Sequence, residues 1–210
     1  CAQYNQAFFY TNFHIFLFLL KKIIMENYLD FQNTLDEATI SFERNLKFSL
    51  AKLFGQTKLK VSINENITEG ALTKEITSLT NSHTFFIGSF ISWQIKLQIK
   101  ILGLLANSIK KYSLLSPEIT YEMANSVKNL FTSDLGLTIN GNYLALDKFN
   151  KNNQATFFIA IAHKKEKIIK QFQINGGKNE IIKKATQAAL LILKYFLENL
   201  KKIKQEEING

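Results

Sequence analysis

Residues 58–70 read Lys58-Leu59-Lys60-Val61-Ser62-Ile63-Asn64-Glu65-Asn66-Ile67-Thr68-Glu69-Gly70. Leu59, Val61 and Ile63 alternate with Lys58, Lys60 and Ser62, so residues 58–63 predict a strand. The polar loop Asn64-Glu65-Asn66 then leads into a helix from about Glu69 to Leu79. A strand that passes through a short polar loop into a helix is a unit of layered α/β domains.

Toward the N-terminus, Leu35, Ala38, Phe42, Leu46, Leu50 and Leu53 recur at helical spacing and predict an amphipathic helix over 34–54, ending near Gly55. Toward the C-terminus, residues 84–92 (TFFIGSFIS) are aromatic and β-branched and predict a buried strand. Residues 94–105 carry enough apolar positions for a helix. Ser116-Pro117-Glu118 supplies a capping hydroxyl, a proline in the first turn and an acid near the positive end, starting a helix that reaches about Phe131. Residues 134–140, 155–162 and 165–174 read as strands, the last broken by Asn175-Gly176-Gly177. The most regular element is a helix over 179–203, with Ile181, Ala185, Ala188, Ile192, Phe196, Leu200 and Ile203 on one face.

Composition narrows the function classes. A chain of 210 residues with 46% hydrophobic and 20% charged residues can bury a sizeable core. The formal charge is +9, yet Arg44 is the only arginine among 26 basic residues. Arginine is the residue of bidentate phosphate and guanine contacts, so a nucleic-acid partner is disfavoured. High lysine, asparagine, isoleucine and phenylalanine are what AT-rich coding produces, and they raise the charge without a polyanion to bind. Cys1 is the only cysteine, which excludes a disulfide within the chain. His14, His83 and His163 have no partner at metal-ligand spacing, and His83 reads as a turn residue.

Residues 7–20 (AFFYTNFHIFLFLL) are apolar but shorter than a membrane span, and Lys21 and Lys22 follow rather than precede them. A start at Cys1 fits a lipid-modified N-terminus; translation upstream of a start at Met25 is the simpler account. The expected organisation is an apolar extension over 1–24, a helical lead-in over 25–45 and one domain over 46–205.

Several fragments in collinear order resemble the CinA C-terminal domain family. Where that family reads A-E-S-C-T-G-G between a strand and a helix, Glu65, Thr68 and Gly70 match and Asn66 replaces the serine. Gly88-Ser89-Phe90-Ile91-Ser92-Trp93-Gln94-Ile95-Lys96-Leu97-Gln98 resembles G-G-x-V-x-Y-S-N-x-x-K, with Trp93 on the tyrosine and Gln98 on the lysine. Ser116-Pro117-Glu118 with Tyr121-Glu122-Met123-Ala124, the run Asp134–Gly141, Ala155–Ala162 and Gly176-Gly177-Lys178 follow in the family's order, so the likeness covers roughly 46–200. It implies a three-layer α/β/α domain with a mixed sheet, ligand contacts at Glu65, Thr68, Gly70, Asn140, Gly141 and Lys178, and no cofactor.

The resemblance also implies an amidohydrolase that removes ammonia from nicotinamide mononucleotide with a serine, a lysine and a tyrosine. Such chemistry needs a nucleophile, a base and oxyanion donors. The amide of Asn66 is no nucleophile, Gln98 exchanges no proton near neutral pH, and the indole of Trp93 only donates. The expectation is therefore a degenerate member kept for nucleotide or protein binding, its hollow partly filled by Trp93. Thr68 and Lys96 are the candidate substitutes; their simpler roles are a helix cap and a solvated side chain. Gly176-Gly177-Lys178 could hold an anion on backbone N–H groups, though a plain strand-to-helix turn accounts for it as well. A nicotinamide-type nucleotide and further copies of the chain are the expected partners. No metal is expected, the membrane is disfavoured and the expected location is the cytoplasm. The rival readings are an active amidohydrolase with relocated residues and a membrane-associated protein anchored through residues 7–24.

Overall fold

Val61 and Ile63 become the fully buried centre of a five-stranded sheet. A computed structural model describes residues 37–143, 153–164 and 166–209. The elements in chain order are α1 (Glu37–Thr57), β1 (Val61–Glu65), α2 (Ala71–Thr77), a 3-10 turn (Ser82–Thr84), β2 (Phe86–Ile91), α3 (Ile95–Leu102), α4 (Ala106–Tyr112), α5 (Pro117–Leu130), β3 (Leu135–Tyr143), β4 (Asn153–Ala162), β5 (Lys167–Gly176) and α6 (Lys178–Asn209). The strands lie in the order β2-β1-β3-β4-β5. The first three are parallel and the last two antiparallel, giving a mixed sheet.

Alternation sorts the side chains into two layers. Val61, Ile63, Leu137, Ile139 and Phe157 face α1, α2 and α6 in one continuous core with Leu50, Phe54, Ile76 and Ile192. Each such side chain contributes roughly 1.5–3 kcal/mol by leaving water. On the opposite face α5 lies across β1, β3 and β4. Leu102 and Leu104 join Ile119, Met123 and Val127 of α5 in a second cluster. A Cβ on Gly136 would stand 1.8 Å from the carbonyl oxygen of Ala124, so α5 approaches bare backbone there. The result is the α/β/α sandwich with a mixed sheet.

Several local expectations need correction. Strand β2 is not buried: it pairs with β1 alone, and Ile87 and Ile91 are exposed. The helix expected over 94–105 is α3, which ends early at Leu102 where Gly103 takes a left-handed φ of 65° and caps it; α4, from Ala106, lies beyond that range and was not expected. An apolar tally cannot register that cap. Helix α1 runs through Gly55 to Thr57 and stops at Lys58 (φ 57°), whose N–H returns to Phe54 O. Strand β1 starts three residues late and takes in Asn64 and Glu65, which pair with Thr138 and Ile139 of β3. Ile203 is exposed, because the core under α6 ends at Leu200. His83 sits exposed in the 3-10 turn, as expected. The apolar stretch 7–24, His14 and Leu35 lie outside the described residues. Among the described residues, no helix is long and apolar enough to cross a membrane.

Candidate functional site

Strand order reverses at β1: the chain leaves it for β2 on one side and returns to β3 on the other. In open α/β sheets the crevice for ligands forms at the carboxyl ends of strands at such a switch point. Here that end carries Glu65 and Asn66.

Glu65 is fully buried and faces α2. Its carboxylate accepts N–H bonds from Gly70 (3.1 Å), Leu72 (3.2 Å) and Thr73 (2.9 Å), and hydroxyl bonds from Thr68 (2.5 Å) and Thr73. The N-cap residue Gly70 has no side chain to offer, so Glu65 satisfies the orphan amides of the first turn from outside the helix. This corrects the capping role expected of Thr68, whose hydroxyl donates to Glu65 instead. Five donors engage a carboxylate with four or so lone-pair sites, so its oxygens are fully occupied at the start of α2. The turn into α2 is tight: Glu69 has φ 52° and Gly70 φ 94°. Glu69 is held by a 2.7 Å ion pair to Lys178 at the start of α6.

Asn66 is 7% exposed and both ends of its amide are engaged. Oδ1 accepts from Ile67 N (2.6 Å) and Gly141 N (3.0 Å), while Nδ2 donates to Gly141 O and to Asn140 Oδ1, both at 3.2 Å. Asn140 in turn donates to Leu114 O (2.9 Å) and Thr120 Oγ1 (3.2 Å). Thr120 donates to Ser116 O at 2.7 Å, so a buried chain of polar contacts ties the end of β1 through β3 to the first turn of α5. Gly141 admits no side chain, since a Cβ would meet Phe157 Cβ at 2.5 Å and Ile67 Cδ1 at 2.8 Å.

Gln98 of α3 is 2% exposed; its Nε2 donates to Ser92 O at 2.6 Å and its Oε1 has no protein partner. Trp93 is 43% exposed and stacks on Tyr143, with ring centroids 6.1 Å apart and planes inclined by 27°. Tyr143 donates its hydroxyl proton to Ile67 O at 3.3 Å. Burial pushes this phenol up to about 12, with a smaller push from the charge of Glu69. Lys96 is exposed on the outer side of α3.

The fold thus joins Glu65, Thr68 and Gly70 in one network, Asn66, Asn140 and Gly141 in a second, and Lys178 to Glu69 at the rim. Tyr143 escaped the sequence reading because the strand was ended at Asn140, three residues short. Thr73 and Thr120 carry no motif that would single them out. Among the described residues no cluster of His, Cys, Asp or Glu is arranged to hold a metal ion.

The family model for the CinA C-terminal domain matches residues 43–197. The chain belongs to the CinA C-terminal domain family. It is 30% identical over 188 residues to a CinA-like protein of Flavobacterium psychrophilum, covering 88% of this chain and 45% of that protein. A CinA-like protein of Endomicrobium trichonymphae is 26% identical over 167 residues, 79% of this chain and 39% of the relative. The chain therefore spans less than half the length of these CinA-like relatives. Among solved structures, a competence or damage-inducible protein from Enterobacter asburiae aligns with a TM-score of 0.65 at 20% identity, over 74% of this chain and 98% of that one. A CinA superfamily protein from Escherichia coli gives the same TM-score at 18% identity, over 79% and 94%. These two likenesses are of fold. Asn66, Trp93 and Gln98, which the sequence reading set against the family's serine, tyrosine and lysine as an expectation, lie directly after β1, just after β2 and within α3.

Proposed function

We propose that this CinA-like chain is catalytically degenerate and is kept for binding a nicotinamide-type nucleotide or a protein partner. The observation that carries the reading is the amide of Asn66, which is spent on Gly141 where an amidohydrolase of this pattern needs a nucleophile. Gln98 supports it, since a buried carboxamide bonded to Ser92 O cannot shuttle protons. Loss of one member of a coupled catalytic set already costs orders of magnitude in rate, and here three positions differ. The rival arrangement, an active amidohydrolase using Thr68 and Lys96, is disfavoured: Thr68 directs its hydroxyl at Glu65 and Lys96 lies in solvent. Incubation of the chain with nicotinamide mononucleotide, with ammonia followed against a Thr68→Ala, Lys96→Ala control, tests the point. Equal background in both is expected.

For the protein partner, the specific observation is an apolar surface on α3. Leu97 and Ile101, one turn apart on the same side of α3, are both exposed. Adjoining exposed apolar side chains mark interaction surfaces. A second copy of the chain is the occupant this reading assigns. A cytoplasmic location goes with the same reading; a membrane-associated role would rest on residues 7–24. Fractionation of a chain starting at Met25 beside the full chain separates the two, with identical soluble behaviour expected.

A further inference from the structure

We infer, resting on the nucleotide-binding reading above, that Trp93 is the residue that reads the ligand's ring. The site at the end of β1 then takes a planar heteroaromatic cation, a pyridinium nucleotide, in preference to the same molecule with its ring reduced and uncharged.

Trp93 is the only tryptophan in the chain and stands just after β2. Its backbone is tied down on both sides. Ser92 N donates to Glu65 O at 3.3 Å, and Ser92 O accepts from Gln98 Nε2 at 2.6 Å, so the residue before the indole is joined to the end of β1 and to α3. The ring rests against Tyr143 of β3, the strand whose Gly141 pairs with Asn66. Tyr143 is buried and anchored by its hydroxyl to Ile67 O. The indole therefore has a fixed aromatic backing, yet Trp93 is 43% exposed. A large ring that is braced and still open to water is a stacking platform. Its face is the negative end of the ring quadrupole and attracts a cation, tryptophan more strongly than tyrosine or phenylalanine. Two other rings already hold a lysine in this way, Tyr112 under Lys111 and Tyr121 under Lys167. Among the described residues no lysine or arginine sits over Trp93, so its face is left for a cation that the ligand brings. The pyridinium ring of a nicotinamide nucleotide carries that charge. Adding a hydride to it gives a neutral dihydropyridine while ribose and phosphate stay the same, so the two forms differ in the ring alone.

Nicotinamide mononucleotide and its dihydro form are titrated into the full chain by calorimetry, and the oxidised form is also followed by the fluorescence of the single tryptophan. The oxidised nucleotide should bind about tenfold more tightly than the dihydro form. It should also quench Trp93. Trp93→Phe should keep part of that preference and Trp93→Leu should bring the two forms to equal affinity, both with the melting temperature in place. Equal affinity of the parent for the two forms overturns the role of Trp93 and leaves the nucleotide-binding reading standing. The same holds for a preference intact in Trp93→Leu, or for a Trp93→Leu chain that changes its sedimentation and neither affinity. Absence of binding by both forms overturns the two together.

Discussion

The side-chain amide of Asn66 pairs with the peptide group of Gly141 in both directions, accepting from its N–H at 3.0 Å and donating to its carbonyl at 3.2 Å. An asparagine here does what one more residue of strand β1 would do. The pairing extends the β1–β3 ladder past Glu65, where β1 ends. The same amide accepts from Ile67 N and so fixes the exit of the chain toward α2.

Asn66→Ala leaves the Gly141 and Ile67 N–H groups without their acceptor inside the fold. A loss of about 2–3 kcal/mol is expected in chemical denaturation, since each buried unpaired polar group costs roughly 1–3 kcal/mol. Asn66→Ser should be destabilised in the same direction, because the shorter side chain brings one polar atom where the amide sets two, Oδ1 and Nδ2, against the Gly141 peptide. It should release no ammonia from nicotinamide mononucleotide while Trp93 and Gln98 remain.

Glu65→Gln tests the buried cap. All five contacts to Glu65 are donors, so an amide nitrogen placed there meets N–H or O–H groups. The expected cost is about 2–3 kcal/mol, at the strong end for hydrogen bonds to a charged group. Amide exchange should rise first in α2, whose opening turn this carboxylate holds.

Tyr143 predicts a pH dependence with a definite sign. Its folded value of about 12 lies above the ordinary tyrosine value of 10.0. A raised folded value means the protonated phenol is favoured by folding; that contribution is complete below about pH 10 and disappears as pH rises through 12. Absorbance at the phenolate band should show a late-titrating step that is absent from Tyr143→Phe. Stability of the parent should fall faster than that of the variant across the same window.

The apolar surface on α3 predicts self-association. Sedimentation of the full chain should show a species larger than one chain, and Leu97→Asp with Ile101→Asp should convert it to a monomer. Both side chains are exposed, so the change should leave the melting transition of the monomer within about 0.5 kcal/mol.

Most of the layering was legible because it rests on periodicity. The face of Ile181, Ala185, Ile192 and Phe196 is buried as its spacing requires, and Ser116 accepts from Ile119 N as a capping serine should. What periodicity could not supply was neighbourhood. Nothing in residues 84–92 says that β2 has a partner on one side only. Asn64 and Glu65 read as loop because they are polar, yet both are strand residues, Glu65 facing the donors of α2 and Asn64 nearly fully buried. At the site, motif order brought Asn66, Asn140 and Gly141 forward. The pairing among them is a long-range contact, 74 and 75 residues apart, that a local reading cannot see.

Ammonia release from nicotinamide mononucleotide by the purified full chain is the measurement that bears most directly on the central claim. The chain should release no more ammonia than its Thr68→Ala, Lys96→Ala variant, while nucleotide binding, followed by thermal shift, is read in the same samples. Turnover that the double substitution abolishes in a protein still folded would contradict the account.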